Sequence, residues 1–433
     1  MNSKAFRLFV IALLFFTCDH LQAAGELTIT PDKPAGIYQA GQTIHWTVKW
    51  TPATLPSTLT YTLKKNDVTD LSSGPLTLKD GATEVDGKLD EPGWLILKVS
   101  AAADDHKYSA TSGVLADPDK LKPTSPRPDD FDDFWNAKLK DLAAVPPNPQ
   151  LQSVPGSNPD IAFYKITMDN IHGSHIHGQL ARPAKGDKFP AVLILQWAGV
   201  YPLDRSWVIG RAAEGWLALD ISAHDLPIDQ PRSFYQQKKE LQNYPAIGND
   251  DRDTSYFLRM YLGDYRALEY LKSRPDWDGK TLLVMGTSMG GQQSLMLAGL
   301  HPDDITAVTV DVPSGSDMLG PAAGRLAAYP NWYTQTNGKD PAKVRETSRY
   351  FDVTNFVVHI KCPVLAGIGE IDETSPPTSV MTSMNLIQSP KEILLMPGVP
   401  HMEMNKSHQH YYDRSTAWRA ALLKGAPPPV NRD

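Results

Sequence analysis

Ser288 sits in Gly286-Thr287-Ser288-Met289-Gly290-Gly291, between the apolar run 281–285 and a helix-forming stretch, 292–300. Strand, sharp turn and helix with serine at the turn present a hydroxyl at a helix N-terminus, where developing negative charge is favoured. Glycines flank such a serine because its backbone is strained and strand and helix pack closely around it. A lone hydroxyl is a weak nucleophile, so the chain must also supply a base and a group to orient that base. Asp372 follows the apolar run 363–368, in Gly369-Glu370-Ile371-Asp372, and His401 follows the run 392–396 after a short Pro-Gly loop. Serine, aspartate and histidine in that order, each just beyond a strand end, predict nucleophilic acyl chemistry.

Each partner has rivals. Glu370 and Glu373 flank the acid, and Asp311 ends the preceding strand; Asp372 is preferred because Glu370 is still close to its strand and Glu373 begins a proline-rich turn. His408 and His410 read as exposed residues near the following helix, which leaves His401 as the base. Glu403 reads as a solvated carboxylate. A tetrahedral oxyanion needs two donors. The amide of Met289 is one. The other is expected from the loop after an earlier central strand, in Ala198-Gly199-Val200-Tyr201, at Val200 or a neighbour.

A metal is not expected. His172, His175 and His177 fall in a hairpin with Gly-Ser near its tip, without an accompanying cysteine or acid, and His408/His410 form only a pair. Gly173, Gly178 and Gly186 make no phosphate loop. No cofactor is called for.

These residues need a scaffold. From 129 to about 425, apolar strands (191–197, 216–221, 281–285, 305–312, 363–368, 392–396) alternate with helical stretches such as 256–272, which predicts an α/β domain with a mainly parallel, doubly wound sheet. Its first helix begins after Asp130, a candidate cap, with Phe131, Phe134, Trp135, Leu139 and Leu142 at helical spacing. Before it, residues 26–116 show short alternating runs (44–48, 59–63, 94–99) broken by turn residues. These read as strands with one buried face, in a sandwich of immunoglobulin-like size. Residues 117–128 carry Pro118, Pro123, Pro126 and Pro128 and read as a stiff linker.

The chain of 433 residues has 42 Lys+Arg against 49 Asp+Glu, a formal charge of −7, 41% hydrophobic residues and two cysteines. That composition excludes a disordered chain, and the absence of any basic block excludes a nucleic-acid partner. Residues 1–24 read as a signal peptide: Lys4 and Arg7 precede an apolar run that closes on Leu21-Gln22-Ala23-Ala24. The run is too short for a membrane span, and Phe15-Phe16-Thr17 argues against a lipid anchor at Cys18. The expected mature protein is secreted or periplasmic and keeps only Cys362, so it has no internal disulfide.

The second domain resembles the acetyl xylan esterase and cephalosporin-C deacetylase family of α/β-hydrolases. The likeness rests on 127–135 (Arg-Pro-Asp-Asp-Phe-Asp-Asp-Phe-Trp), on Ala181-Arg182-Pro183, on 351–356 with 360–364, and on Asp372-Glu373-Thr374-Ser375-Pro376-Pro377. It implies Ser288, Asp372 and His401 as triad, amides at Val200 and Met289 as oxyanion hole, and acetylated carbohydrate as substrate. It also implies homo-oligomers, a contact that an N-terminal sandwich can block. Trp197, Tyr201, Trp207 and Trp332 are candidate substrate contacts, tryptophan being a platform for a sugar ring wherever it lines the pocket. Met289 replaces the family's usual glutamine, and Ala223-His224-Asp225-Leu226 its Arg-Gly-Gln motif; both departures bear on substrate, not on reaction class. The alternatives are an esterase for feruloyl or glucuronoyl groups, a prolyl-oligopeptidase-like peptidase, and a non-catalytic carbohydrate-binding protein. The peptidase would need a propeller, and at roughly 40 residues per blade 26–116 holds barely two.

Overall fold

The computed structural model describes residues 27–51, 55–103, 105–156 and 158–431; the leader and Cys18 lie outside them. Before residue 117 the chain forms β1 (Leu27–Pro31), β2 (Ile37–Tyr38), β3 (Thr43–Trp50), β4 (Thr58–Lys65), β5 (Thr69–Pro75), β6 (Ala82–Lys88), β7 (Gly93–Ala103) and β8 (His106–Ala116). They make a three-stranded sheet, β1-β3-β6, and a five-stranded sheet, β2-β8-β7-β4-β5. Alternation along β3 turns Ile44, Trp46 and Val48 inward, where they meet Leu63, Leu97 and Val114 of the other sheet in one core.

Beyond it follow β9 (Gln150–Ser153), β10 (Ile161–Asp169), β11 (His175–Pro183), β12 (Phe189–Leu195), β13 (Leu217–Ile221), β14 (Trp277–Thr287), β15 (Ala307–Asp311), β16 (Val364–Gly369) and β17 (Lys391–Met396). They form one nine-stranded sheet in the order β17-β16-β15-β14-β12-β13-β11-β10-β9. The strands β17 to β13 of that order run parallel; β11, β10 and β9 continue it antiparallel. The helices are α1 (Phe131–Ala143), α2 (Arg205–Glu214), α3 (Arg232–Gln236), α4 (Tyr256–Ser273), α5 (Met289–Leu300), α6 (Pro341–Ser348), α7 (Pro377–Leu386) and α8 (Gln409–Leu423). Successive strand residues serve opposite faces. Val192, Ala218 and Leu283 pack with Val208 of α2 and Trp418 of α8, whereas Leu193, Leu219 and Val284 pack with α4, α5 and α7. Burial on both faces is why these strands are continuous apolar runs.

Three local expectations change. Asp130 occupies the cap position of α1, but its carboxylate makes no cap bond and instead accepts from Arg252 (2.8 Å) and the Tyr350 hydroxyl. The proline-rich segment is tied down: Asn385 donates to the carbonyls of Pro118 and Leu121 (2.8 and 3.0 Å), and Asp317 accepts from the Thr124 amide (2.7 Å). The third concerns β7, which has two buried faces. Leu95, Leu97 and Val99 fill the core between the small sheets, whereas Trp94 and Ile96 join the core of the large sheet.

That shared strand reaches the loop carrying Asp372. Trp94 Nε1 donates to the Glu370 carbonyl at 2.9 Å, and Lys98 pairs with Glu373 at 2.7 Å. The approach is so close that a Cβ on Gly113 would overlap the Glu370 carbonyl, and one on Gly36 the Glu370 carboxyl. That carboxyl is fully buried without a hydrogen-bond partner among the described residues, and burial pushes its pKa up to about 8. An acid raised this way favours the fold while protonated; its contribution is complete below the unfolded value of 4.5 and is lost as pH rises to about 8. Glu370→Gln is therefore expected to leave the urea midpoint unchanged at about pH 4 and raise it at about pH 9. Equal midpoints at both pH values would show that the carboxyl is not titrating inside the fold.

Candidate active site

β14 ends at Thr287 and α5 starts at Met289, so the whole turn is Ser288, held at φ 57° and ψ −120°. A residue with a Cβ is strained there, and its surroundings over-determine it. The Ser288 amide donates to the Asp311 carbonyl at 2.9 Å, and its own carbonyl accepts from Gln292 (3.0 Å) and Ser314 (3.1 Å). A Cβ on Gly286 would strike the backbone of Gly290, and one on Gly290 would overlap the Leu195 carbonyl. Only glycine lets strand and helix come this close.

The three residues expected to cooperate meet at the carboxyl edge of the parallel strands. Ser288 Oγ lies 2.8 Å from His401 Nε2, and His401 Nδ1 lies 2.7 Å from Asp372 Oδ2. The other carboxylate oxygen of Asp372, which is fully buried, accepts the amides of Thr374 (2.8 Å) and Ser375 (2.7 Å). With Oδ1 occupied, Oδ2 is left to orient the imidazole.

The loop after β12 turns at Gly199, whose φ of 123° requires glycine. His224 tethers it: Nε2 lies 2.9 Å from the Gly199 carbonyl and Nδ1 2.7 Å from the Tyr256 hydroxyl. A carbonyl only accepts, so Nε2 carries the proton and Nδ1 receives the tyrosine hydroxyl. Burial pushes this imidazole down to about 4 and keeps it neutral. Val200 follows directly on the tethered glycine. Met289 opens α5, so its amide has no acceptor within the helix. Its thioether is held by the hydroxyls of Tyr244 (2.8 Å) and Tyr329 (3.5 Å). Nothing in the sequence marks Tyr244 or Tyr329; His224 stands out only as part of the 223–226 stretch that replaces the family's Arg-Gly-Gln motif just beyond a strand end.

Trp197 is 43% exposed, stacks on Tyr201 at 5.5 Å and packs against Trp207 at 4.7 Å. Trp332 is a correction. It is fully buried between Phe257 (5.1 Å) and Phe351 (6.0 Å), so its ring packs the core and offers no exposed face.

The rejected rivals pair with each other. His408, expected to be exposed, is buried with Nδ1 2.8 Å from Asp311 Oδ2 and Nε2 3.0 Å from the Pro400 carbonyl. Neutral imidazole donates from one nitrogen only, so this pair keeps a proton that a neutral histidine beside a free carboxylate would lack. Burial alone would lower the His408 pKa, but Asp311 and the Pro400 carbonyl outweigh it and hold it above 6.5. His408 thus ties the residue before His401 to the residue whose carbonyl binds the Ser288 amide. His410 and Glu403 are exposed.

The 172–177 hairpin does have an acidic companion: Asp225 accepts from the His175 amide (3.0 Å) and lies 2.9 Å from His177 Nε2. Among the described residues, Glu269, His301 and Asp304 also converge, but Lys272 contacts both carboxylates at 2.9 Å, which makes this a salt-bridge cluster.

A mainly parallel sheet covered by helices on both faces, with a serine elbow at its carboxyl edge, defines the α/β-hydrolase class. The profile of the acetyl xylan esterase (AXE1) family matches residues 114–421. The acetyl esterase Axe7A of Xylanibacter ruminicola is 36% identical over 350 residues, 78% of this chain and 77% of that protein. The crystal structure of acetyl xylan esterase 1 from Thermoanaerobacterium sp. JW/SL YS485 superposes with a TM-score of 0.60 at 23% identity, covering 70% of this chain and 97% of that one. The acetyl xylan esterase from Paenibacillus sp. R4 gives the same score and identity over 69% and 97%. The chain belongs to the acetyl xylan esterase family and is a serine-type carboxylic ester hydrolase.

Removing His408 leaves Asp311 buried and unpaired. His408→Ala is expected to cost about 3–5 kcal/mol in urea denaturation, and Asp311→Asn combined with it to cost clearly less than the sum of the single changes. Additive losses would mean that the two side chains do not depend on each other. The raised His408 pKa gives a stabilisation that is complete below 6.5 and is lost as pH rises through the higher folded value.

Proposed function

We propose that the protein removes acetyl groups from acetylated polysaccharide or oligosaccharide through a Ser288–His401–Asp372 triad. The hydrogen-bonded chain from Ser288 Oγ through the imidazole to Asp372 carries this reading. As Oγ attacks the ester carbonyl, His401 Nε2 takes its proton, while Asp372 keeps the other ring nitrogen protonated and in place. The amides of Met289 and Val200 receive the oxyanion. When the tetrahedral species collapses, His401 gives the proton to the departing sugar oxygen, which leaves as the alcohol; water, deprotonated by His401, then attacks the acyl-enzyme and releases acetate from Ser288.

Acetyl as the acyl group and carbohydrate as the alcohol are supported by the family and by the esterase relatives; no step needs a cofactor. The exposed Trp197, in the same loop as Val200, offers a flat surface for a sugar ring. Export belongs to the same reading and rests on the basic-then-apolar composition of residues 1–24; among the described residues no helix is long and apolar enough to cross a membrane. We read the two small N-terminal sheets as an immunoglobulin-like sandwich.

Ser288→Ala is expected to lower kcat on an aryl acetate by roughly a thousandfold or more while the folded protein persists. Near-normal turnover in that variant would remove the nucleophile from the scheme. A panel of acetyl, butyryl, feruloyl and methyl-glucuronoyl esters is expected to rank acetyl first; a bulkier acyl group in first place would replace the acetyl assignment.

A further inference from the structure

A cavity of about 400 Å³ opens between α2 and α8, over the carboxyl ends of β12 and β14. Gly286 and Thr287, the two residues before Ser288, form part of its wall. Trp197, Trp207 and Tyr412 line it as well, and Trp197 and Tyr412 are each more than a third exposed. The triad residues and the two oxyanion candidates do not line it, so it adjoins the reacting centre without being part of it.

Two guanidinium groups also line this cavity. Arg211 comes from α2 and Arg419 from α8, and both turn to one carboxylate, Glu214, at 2.9 and 3.2 Å. Arg419 has other acceptors, the hydroxyls of Ser415 (3.0 Å) and Thr416 (2.9 Å). Arg211 has only Glu214 among the described residues, and its buried Nη1 is not aligned for a hydrogen bond even there. Two cations against one anion leave a single positive charge in a partly desolvated site. Burial and the like charge of Arg419 both lower the Arg211 pKa, so a further anion would relieve its surroundings. A guanidinium presents five donors in a planar fork that matches a carboxylate. An aromatic mouth above a partly buried, donor-rich cation is the combination that orients a ring bearing one negative charge.

We infer that this cavity is a subsite for a uronic-acid unit: Arg211 pairs with the sugar carboxylate and the tryptophan pair carries the ring. The substrate class is then an acidic acetylated oligosaccharide, whose charged unit anchors the chain beside the serine. This deepens the carbohydrate esterase reading and rests on it.

The test uses the wild-type protein and two acetylated xylo-oligosaccharides of equal length, one of them with a glucuronic-acid branch. The branched substrate is expected to have the higher kcat/KM, by about 10- to 100-fold and mainly through KM, with the advantage shrinking as salt is added. Arg211→Gln is expected to reduce that ratio to near one. Calorimetric titration of wild-type protein with methyl glucuronoside, against neutral methyl glucoside, tests the site without any variant or any turnover; binding of the uronide alone is expected. Equal kcat/KM on the two oligosaccharides together with no selective binding of the uronide would overturn the subsite. Cleavage of an aryl acetate with no action on either oligosaccharide would instead remove the carbohydrate reading, and the titration would still decide whether the cavity takes a uronide.

Discussion

The close approach of β14 and α5 is the constraint on which the rest of the site depends. Ser288 can stand at positive φ because Gly286 and Gly290 let two backbones come nearer than any side chain allows. The strain is held in place by the Asp311 carbonyl, by Gln292 and Ser314, and by the Leu195 backbone pressed against Gly290. Thus β12, β15 and the loop after β15 all bear on one serine. A rigid parallel sheet is what makes such a placement hold without readjustment, since its strands are packed on both faces.

Around that serine two histidine–aspartate pairs divide the work. His401 and Asp372 reach the hydroxyl, and their contacts are those of a base and its orienting acid. His408 and Asp311 lie in the buried layer and link two backbone groups, the Pro400 carbonyl that His408 approaches and the Ser288 amide that the Asp311 carbonyl accepts. In the proposed reaction the first pair does the chemistry, and the second holds the loops that place it. His224 acts in the same way on the loop of Val200, with the opposite shift: burial holds its pKa down, whereas Asp311 and the Pro400 carbonyl outweigh burial and hold that of His408 up.

The N-terminal sheets are more than an appendage. Because β7 is apolar on both faces, it contributes Leu95 and Leu97 to one core and Trp94 and Ile96 to the other. It also sets an indole donor against the carbonyl of Glu370, two residues before Asp372. The acid loop is thereby gripped from outside the large sheet. Where the chain departs from the family pattern, Met289 meets the hydroxyls of Tyr244 and Tyr329, His224 meets the Gly199 carbonyl, and Asp225 reaches back to His175 and His177 on β11.

Much of this was legible in the chain alone. The parallel strands announced themselves as apolar runs, 281–285 inside Trp277–Thr287 and 305–312 around Ala307–Asp311, because burial on both faces leaves no room for polar alternation. The elbow was legible because glycine is the only residue that tolerates its crowding, and the order Ser288, Asp372, His401 followed from strand ends. What the chain alone does not show is what a side chain meets across space. Its position in a loop says nothing of whether His408 faces water or Asp311, Trp332 looks like any other tryptophan until Phe257 and Phe351 close over it, and the charge at Arg211 is visible only when Arg419 arrives from the other end of the domain to share Glu214. Local composition determines which segments become strand, turn or helix, since backbone strain and burial act residue by residue; partnership between distant side chains is decided only by the folded packing that desolvates them together.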